Sequence, residues 1–182
     1  SKQTAASLRK AKIEETFSDE VSARIQNALD TMVEFGASTK EVEKATRLLN
    51  KTQKDGIRGT AQQANVLRTL ADESENAEFA LKNMEKATKI ATQTGLKLED
   101  AGRQLGMAFR GDATILRNFD QIARQAADSI EKMNNPAQRQ AAIMRELAKA
   151  QRRVSGNFGK FQNSIARADV TLNKVGLSVG RL

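Results

Sequence analysis

The side chains of this chain that could carry acid–base or metal chemistry are carboxylates, because the sequence contains no histidine and no cysteine. The usual general base near neutral pH, the thiol nucleophile and the strongest zinc ligands are therefore missing. Close carboxylate pairs include Asp19 with Glu20 and Glu41 with Glu43. Each lies at a predicted helix start, where acidic side chains stabilise the helix dipole. We interpret both pairs as helix-start charges rather than as a catalytic acid and base.

The loop Gly111-Asp112-Ala113-Thr114 is the remaining candidate for a phosphate or metal site. It offers one carboxylate and one hydroxyl, which are too few oxygen ligands for calcium, and Asp112 suits a helix cap better. The chain contains no glycine-rich nucleotide-binding motif. We therefore predict that the protein is not an enzyme and has no catalytic residue, metal site, cofactor or small-molecule substrate.

The elements that hold these residues are predicted to be helices throughout. Apolar residues recur at helical spacing, and no stretch alternates as a β-strand would. With 29% charged and only 4% aromatic residues, the composition favours an all-α, elongated helical bundle or a set of helical hairpins. No apolar run approaches the length of a membrane span, and we expect no signal peptide before the first helix.

Capping residues and glycines divide the chain into three predicted regions. Ser18 is a candidate cap within a first helix over 5–35, Ser38 and Glu41 form a capping box, and Gly59-Thr60 opens a third helix. The regions are an N-terminal helical region over 1–95, a glycine-punctuated helical pair over 96–135 and a basic C-terminal helix over 136–182. The helix after Gly111 is predicted to present one apolar face made of Ile115, Phe119, Ile122, Ala126, Ile130 and Met133.

The C-terminal helix carries an apolar stripe in alternating steps of four and three residues. This 3.5-residue period begins at Leu147 and Gln151 and is typical of a coiled-coil seam. Gly156 and Gly159 weaken it, so we expect a break near 155–159. Packing inside the chain's own bundle and self-association are both consistent with the stripe. The predicted oligomerisation seam consists of Val154, Phe158, Phe161, Ile165, Ala168, Leu172, Val175 and Val179.

The net charge of +8 is concentrated in the same helix, since residues 137–182 contain nine basic and two acidic side chains. Such a segment favours an acidic partner, which could be nucleic acid, an anionic membrane or an acidic protein surface. Five cations share one outward heptad position, about 10.5 Å apart along the helix. A solvated face is the simpler interpretation, and a contact line for a negative surface is the alternative. This predicted basic contact line consists of Arg153, Lys160, Arg167, Lys174 and Arg181.

The segment from Thr94 to Arg117 is punctuated by glycines. Gly95 can end one helix in the left-handed conformation, Gly102 and Gly106 would admit a neighbouring backbone, and Gly111 followed by Asp112 ends the helix and caps the next. This pattern resembles the tape measure proteins of long-tailed bacteriophages. The resemblance continues through the run Arg139-Gln-Ala-Ala-Ile-Met-Arg-Glu-Leu147 to the glycine at 156 and covers roughly 77–180, a little over half of the chain.

The resemblance implies a structural role in tail tube assembly, tail length determination and later genome ejection. It implies self-association, with three copies expected, and tail tube proteins, tail tip proteins and tail assembly chaperones as partners. DNA passing through the tail would be a further contact. The protein would reside in the tail lumen of the virion, and in the host cytoplasm during assembly. Because proteins of this family are usually far longer, the resemblance also implies that the chain is a fragment.

Two other classes of protein are consistent with the sequence. A basic helical module that binds nucleic acid would account for the charged C-terminal helix, although the chain has no Tyr or Trp for base stacking. An adaptor bundle without any role in a tail would show the same helical pattern. A steep dependence of DNA affinity on salt concentration would distinguish the first of these classes from a purely structural protein.

Overall fold

The computed structural model describes residues 18–55 and 57–174, with side chains described for 18–52 and 59–156. Over these residues the chain forms eight α-helices and one 3-10 helix, and this part of the chain contains no β-strand. The predicted all-α fold is therefore confirmed. The helices are α1 (Asp19–Glu34), α2 (Thr39–Asp55), α3 (Ile57–Ser74), α4 (Ala77–Lys82), α5 (Met84–Thr94), α6 (Leu98–Phe109), the 3-10 helix (Ala113–Asn118), α7 (Gln121–Glu131) and α8 (Pro136–Lys174).

Local hydrogen bonds define the first helix boundaries where the sequence predicted them. The Ser18 hydroxyl caps α1 by accepting a hydrogen bond from the backbone N–H of Val21. Gly36, at a φ of 93°, follows the end of α1. Before α2, the N–H of Glu41 donates to the Ser38 hydroxyl, and the N–H of Ser38 donates to the Glu41 carboxylate. The predicted capping box is confirmed.

Helix α3 packs against α1, α2, α4 and α6 and so lies at the centre of the bundle. It begins at Ile57 and not at the predicted Gly59-Thr60, so Gly59 lies within its first turn. A glycine costs a helix only about 1 kcal/mol, and the apolar face that α3 buries offsets this cost. The buried side chains of α3 are Thr60, Ala64, Val66, Leu67, Leu70, Ala71 and Ser74.

Gly102 and Gly106 allow α6 to approach α3 closely, as their four-residue spacing predicted. A methyl group built at Gly102 would lie 3.4 Å from Cγ1 of Val66. One built at Gly106 would lie 2.7 Å from Cβ of Glu73 and 3.2 Å from the backbone nitrogen of Ser74. Because backbone atoms of α3 are among these neighbours, a larger residue at 106 could not be accommodated by a side-chain rotation alone.

The turn after α6 has the predicted construction. Gly111, at a φ of 95°, ends α6 in the left-handed conformation. The Asp112 carboxylate then accepts a hydrogen bond of 2.8 Å from the backbone N–H of Thr114. It therefore caps the 3-10 helix. The candidate phosphate or metal loop is a helix–cap–helix turn.

The predicted continuous helix after Gly111 is wrong, because the 3-10 helix ends before Phe119 and Asp120 caps a separate helix, α7. A 3-10 turn followed by a new cap rotates the next helix relative to the predicted register. Ile122 is consequently 55% exposed instead of buried. The residues of α7 that face the core are Ala123, Ala127 and Ile130.

The three predicted regions share a single core. One cluster of buried apolar side chains runs from Ile25 in α1 to Ala150 in α8, across both predicted boundaries. The rings of Phe79 in α4 and Phe109 in α6 also pack together, with their centroids 4.4 Å apart. The helical bundle is therefore built from all three regions, since α3 from the first region packs on α6 from the second.

Candidate interaction surfaces on the C-terminal helix

Helix α8 starts at residue 136, where the C-terminal helix was predicted to begin. Pro136 is the first helical residue, and the Asn135 side chain accepts a hydrogen bond of 3.0 Å from the backbone N–H of Gln138. The Arg139 guanidinium donates to the carbonyl oxygen of Gly111, with Nε 3.0 Å from that oxygen. The start of α8 is thus tied to the end of α6.

The helix then continues without interruption from Pro136 to Lys174. The expected break near 155–159 is absent, because glycines at about 1 kcal/mol each weaken a helix without ending it. At 1.5 Å per residue, the 39 residues span about 58 Å. This length makes α8 the longest described helix by far.

The first part of the apolar stripe packs inside the chain's own bundle. Leu147 is fully buried, and Val154 is partly buried against the same core. Between them, Nε2 of Gln151 donates to Oε1 of Gln93 in α5 at 3.2 Å. The Gln93 amide donates in turn to the Ser155 hydroxyl at 3.0 Å. The intrachain alternative therefore accounts for the stripe as far as Val154.

The later seam residues lie where side chains are not described. The backbone of α8 includes the positions of Phe158, Phe161, Ile165, Ala168 and Leu172. Val175 and Val179 fall outside the described residues altogether. The coiled-coil interpretation of this part of the stripe therefore stays a prediction.

Arg153, the first member of the predicted basic contact line, is paired within the chain. Its Nε and Nη2 atoms both donate to the Asp120 carboxylate, with Nη2 2.9 Å from Oδ1. The Arg153 side chain is only 27% exposed. This pairing corrects the prediction of a freely exposed cation at this position. Of the other members, the positions of Lys160, Arg167 and Lys174 lie on α8 with side chains outside the described range, and Arg181 lies outside the described residues.

Asp120 has two structural roles, since it also caps α7 by accepting a hydrogen bond of 3.0 Å from the backbone N–H of Ala123. The hydrogen bond from the Arg153 guanidinium holds the pKa of the Asp120 carboxyl below its usual value. The Asp120 carboxylate raises the pKa of Arg153 in return. This pair was not predicted from the sequence: local spacing marks Asp120 as a possible cap, but its partner is 33 residues away.

An open cleft of about 570 Å³ lies between α5 and α8. Lys86 on α5 is half-buried in it, and burial lowers the pKa of its ammonium group. Lys86, Lys89 and Arg152 form no ion pair with any residue of the described ranges. The cleft is lined by Glu85, Lys86, Lys89, Ala148, Gln151, Arg152 and Ser155.

A second cleft, of about 340 Å³, has a balanced charge. Three arginines and three carboxylates surround it, and Arg24 already donates to Glu20 at 3.2 Å and to Asn65 at 3.2 Å. A charged ligand of either sign would meet repulsion here as well as attraction. The cleft is lined by Arg24, Asn65, Arg68, Thr69, Asp72, Glu73, Glu99 and Arg103.

The described ranges contain no cluster of three or more His, Cys, Asp or Glu side chains that could hold a metal ion. Among the helices described here, none combines the length and apolar character that crossing a membrane requires. Comparisons with protein-family models, with curated proteins and with solved structures found no match to this chain.

Proposed function

We propose that this chain is a structural segment of a bacteriophage tail tape measure protein. In this role it acts in tail tube assembly and tail length determination, and later in genome ejection. The resemblance of the segment from Thr94 to Arg117 to tape measure proteins supports the proposal, because the local structure of this segment matches its sequence pattern. Gly95 and Gly111 have the left-handed backbone that the pattern requires, and Asp112 is a helix cap.

The main support for the proposal is that α8 extends well beyond the core on which its first part packs. Val154 is the last residue of the described side chains that packs on this core, and the helix continues for a further 20 residues, to Lys174. These residues correspond to about 30 Å of helix. In this part of the helix, apolar residues continue the alternating steps of four and three residues that include Leu147 and Val154. A helix needs such a stripe only where another surface covers it.

The mechanism is geometric. Helices with a fixed rise per residue set a length, and the stripes of several copies, three by our expectation, pack together into a rod. Tail tube subunits polymerise around this rod, with tail tip proteins and assembly chaperones as further partners. The protein is assembled in the host cytoplasm and occupies the tail lumen of the virion, from which it leaves ahead of the DNA.

The proposal is tested by locating the protein in virions of its source phage. Tails and capsids are separated, and peptides of residues 18–156 are quantified in each fraction by mass spectrometry. We expect these peptides in the tails at a few copies per tail and not in the capsids. Their absence from purified tails would refute the proposal. The parent gene then offers a second test, in which deletion of whole heptads from α8 should alter tail formation.

A basic nucleic-acid-binding or adaptor module is the second candidate function. The observation that favours it is the net charge of +7 over residues 137–182. Against it, Arg153 is already neutralised by Asp120 and is not available to a phosphate. Affinity for duplex DNA measured between about 50 and 200 mM salt decides between the two functions. A nucleic-acid module should lose roughly a thousandfold or more if it neutralises several phosphates.

A further inference from the structure

The cleft between α5 and α8 groups three cations, Lys86, Lys89 and Arg152, that form no ion pair with any described residue. Exposed cations without an ion pair are common in this chain, as at Lys40 and Lys44, but Lys86 is half-buried. A partly desolvated ammonium without an anion is energetically unfavourable.

Carboxylates of the described residues do not neutralise this cleft. Glu146 precedes the lining residues on α8, but it contacts Arg145 and Lys149. Among the described residues that line the cleft, Glu85 is the one acidic residue beside three cations. The cleft therefore keeps a net positive charge in a concave site.

We propose that this cleft is a docking site for an acidic segment of another protein, whose carboxylates pair with Lys86, Lys89 and Arg152. An incoming carboxylate would provide the missing counter-charge for the half-buried Lys86. The hydroxyl of Ser155 and the amide of Gln151 offer further polar contacts at the same cleft. This site goes beyond the proposed tail function and does not depend on it.

The pattern of charge favours a protein over a nucleic acid as the occupant. Glu85 would repel an unbroken row of phosphates, whereas an acidic protein segment can place a cation or a neutral residue opposite it. None of the described side chains that line the cleft is aromatic, so these residues offer no surface on which bases could stack.

The test uses the purified full chain and two fluorescent probes, a short peptide of alternating Glu and Ser residues and an oligothymidine of equal charge. Binding is measured by fluorescence anisotropy at low ionic strength. Lys89→Glu reverses one cleft cation, and Lys86→Met removes the buried charge while keeping the packed methylene chain. Lys44→Glu is the matched control, because Lys44 is an exposed cation in the middle of α2, away from the cleft.

We expect the peptide to bind the wild-type chain more tightly than the oligothymidine does. Lys89→Glu should weaken peptide binding at least about tenfold and Lys86→Met several-fold, whereas Lys44→Glu should have little effect. In NMR titrations of the wild-type chain, the pKa of Lys86 should rise when the peptide is bound. Circular dichroism confirms that each variant is folded.

Three results would overturn the proposal. Equal losses in the cleft variants and in Lys44→Glu would mean that the peptide responds only to net charge. Tighter binding of the oligothymidine at the cleft would identify nucleic acid as the occupant. An unchanged Lys86 pKa in the presence of saturating peptide would place the bound peptide elsewhere. None of these results bears on whether the protein is found in tails.

Discussion

Arg153 holds both carboxylate oxygens of Asp120 across 33 residues of sequence, and Asp120 simultaneously caps α7. One carboxylate thus fixes the start of α7 and the position of α8 beside it. Beyond this contact, Val154 is the last described residue that packs on the core. The Asp120–Arg153 pair therefore lies near the end of the described contacts between α8 and the bundle, which extend to the hydrogen bond from Gln93 to Ser155.

Asp120→Ala should lower the free energy of unfolding more than Asp120→Asn does. Asp120→Ala loses both the cap and the ion pair and should lower the free energy of unfolding by about 1–2 kcal/mol. Asp120→Asn keeps a good capping residue, so it should lose at most about 1 kcal/mol. Urea denaturation followed by circular dichroism measures both values. Equal losses in the two variants would show that the cap contributes nothing.

The ion pair should make stability depend on pH in the acidic range. Arg153 lowers the pKa of Asp120 in the folded state. The contribution of the ion pair to stability is therefore complete above the pKa that Asp120 has in the unfolded chain, about 3.9. It is lost as the pH falls through the lower, folded-state pKa. The stability difference between wild type and Arg153→Met should therefore be constant at neutral pH and shrink in acid. A difference that persists at the lowest pH would point to lost packing instead.

Gly106→Ala should destabilise the protein even though alanine is the better helix former. The new Cβ would lie 2.7 Å from Cβ of Glu73, and the resulting shift of α6 from α3 should cost about 1–3 kcal/mol. Thermal or urea unfolding gives the value. Gly156→Ala is the matched control, since nothing lies within 4 Å of its added Cβ. That change should be neutral or stabilise α8 by up to about 1 kcal/mol.

The seam beyond Val154 should control association. Replacing Ile165 and Leu172 by Asp should dissociate the expected trimer, because two buried charges per copy cannot be paired. The fold of residues 18–133 should persist in circular dichroism. Asn163→Asp with Asn173→Asp adds the same charge at outward heptad positions and should leave the oligomer intact. Sedimentation velocity at micromolar concentration measures the outcome, and a monomeric wild type would contradict the prediction.

The remaining basic line should matter for tail assembly. Reversing Lys160, Arg167 and Lys174 to Glu should leave the helicity nearly unchanged and reduce the yield of tails. Raising the salt concentration should partly reproduce this loss, because exposed charges are screened within about 8–10 Å at physiological ionic strength. Electron microscopy of tails measures number and length. Tails of normal number and length at low salt would identify these cations as solvated surface.

The sequence alone determined the helical class and many of the helix boundaries. The capping box of Ser38 with Glu41, the glycine turn at Gly111 and the start of α8 after Asn135 all lie where predicted. These features depend on hydrogen bonds and backbone angles within a few residues of each other. Local sequence contains all the information that such contacts need.

Tertiary structure decided which faces are covered and by what. Periodicity indicated that the face of α8 containing Leu147 is apolar, but not that its first part packs inside the same chain. It also gave no indication that Arg153 meets Asp120, or that a second cap at Asp120 turns Ile122 outward. Helical spacing defines a face without identifying its partner. The partner depends on how distant segments pack, and that packing is decided by the sum of many contacts remote in sequence.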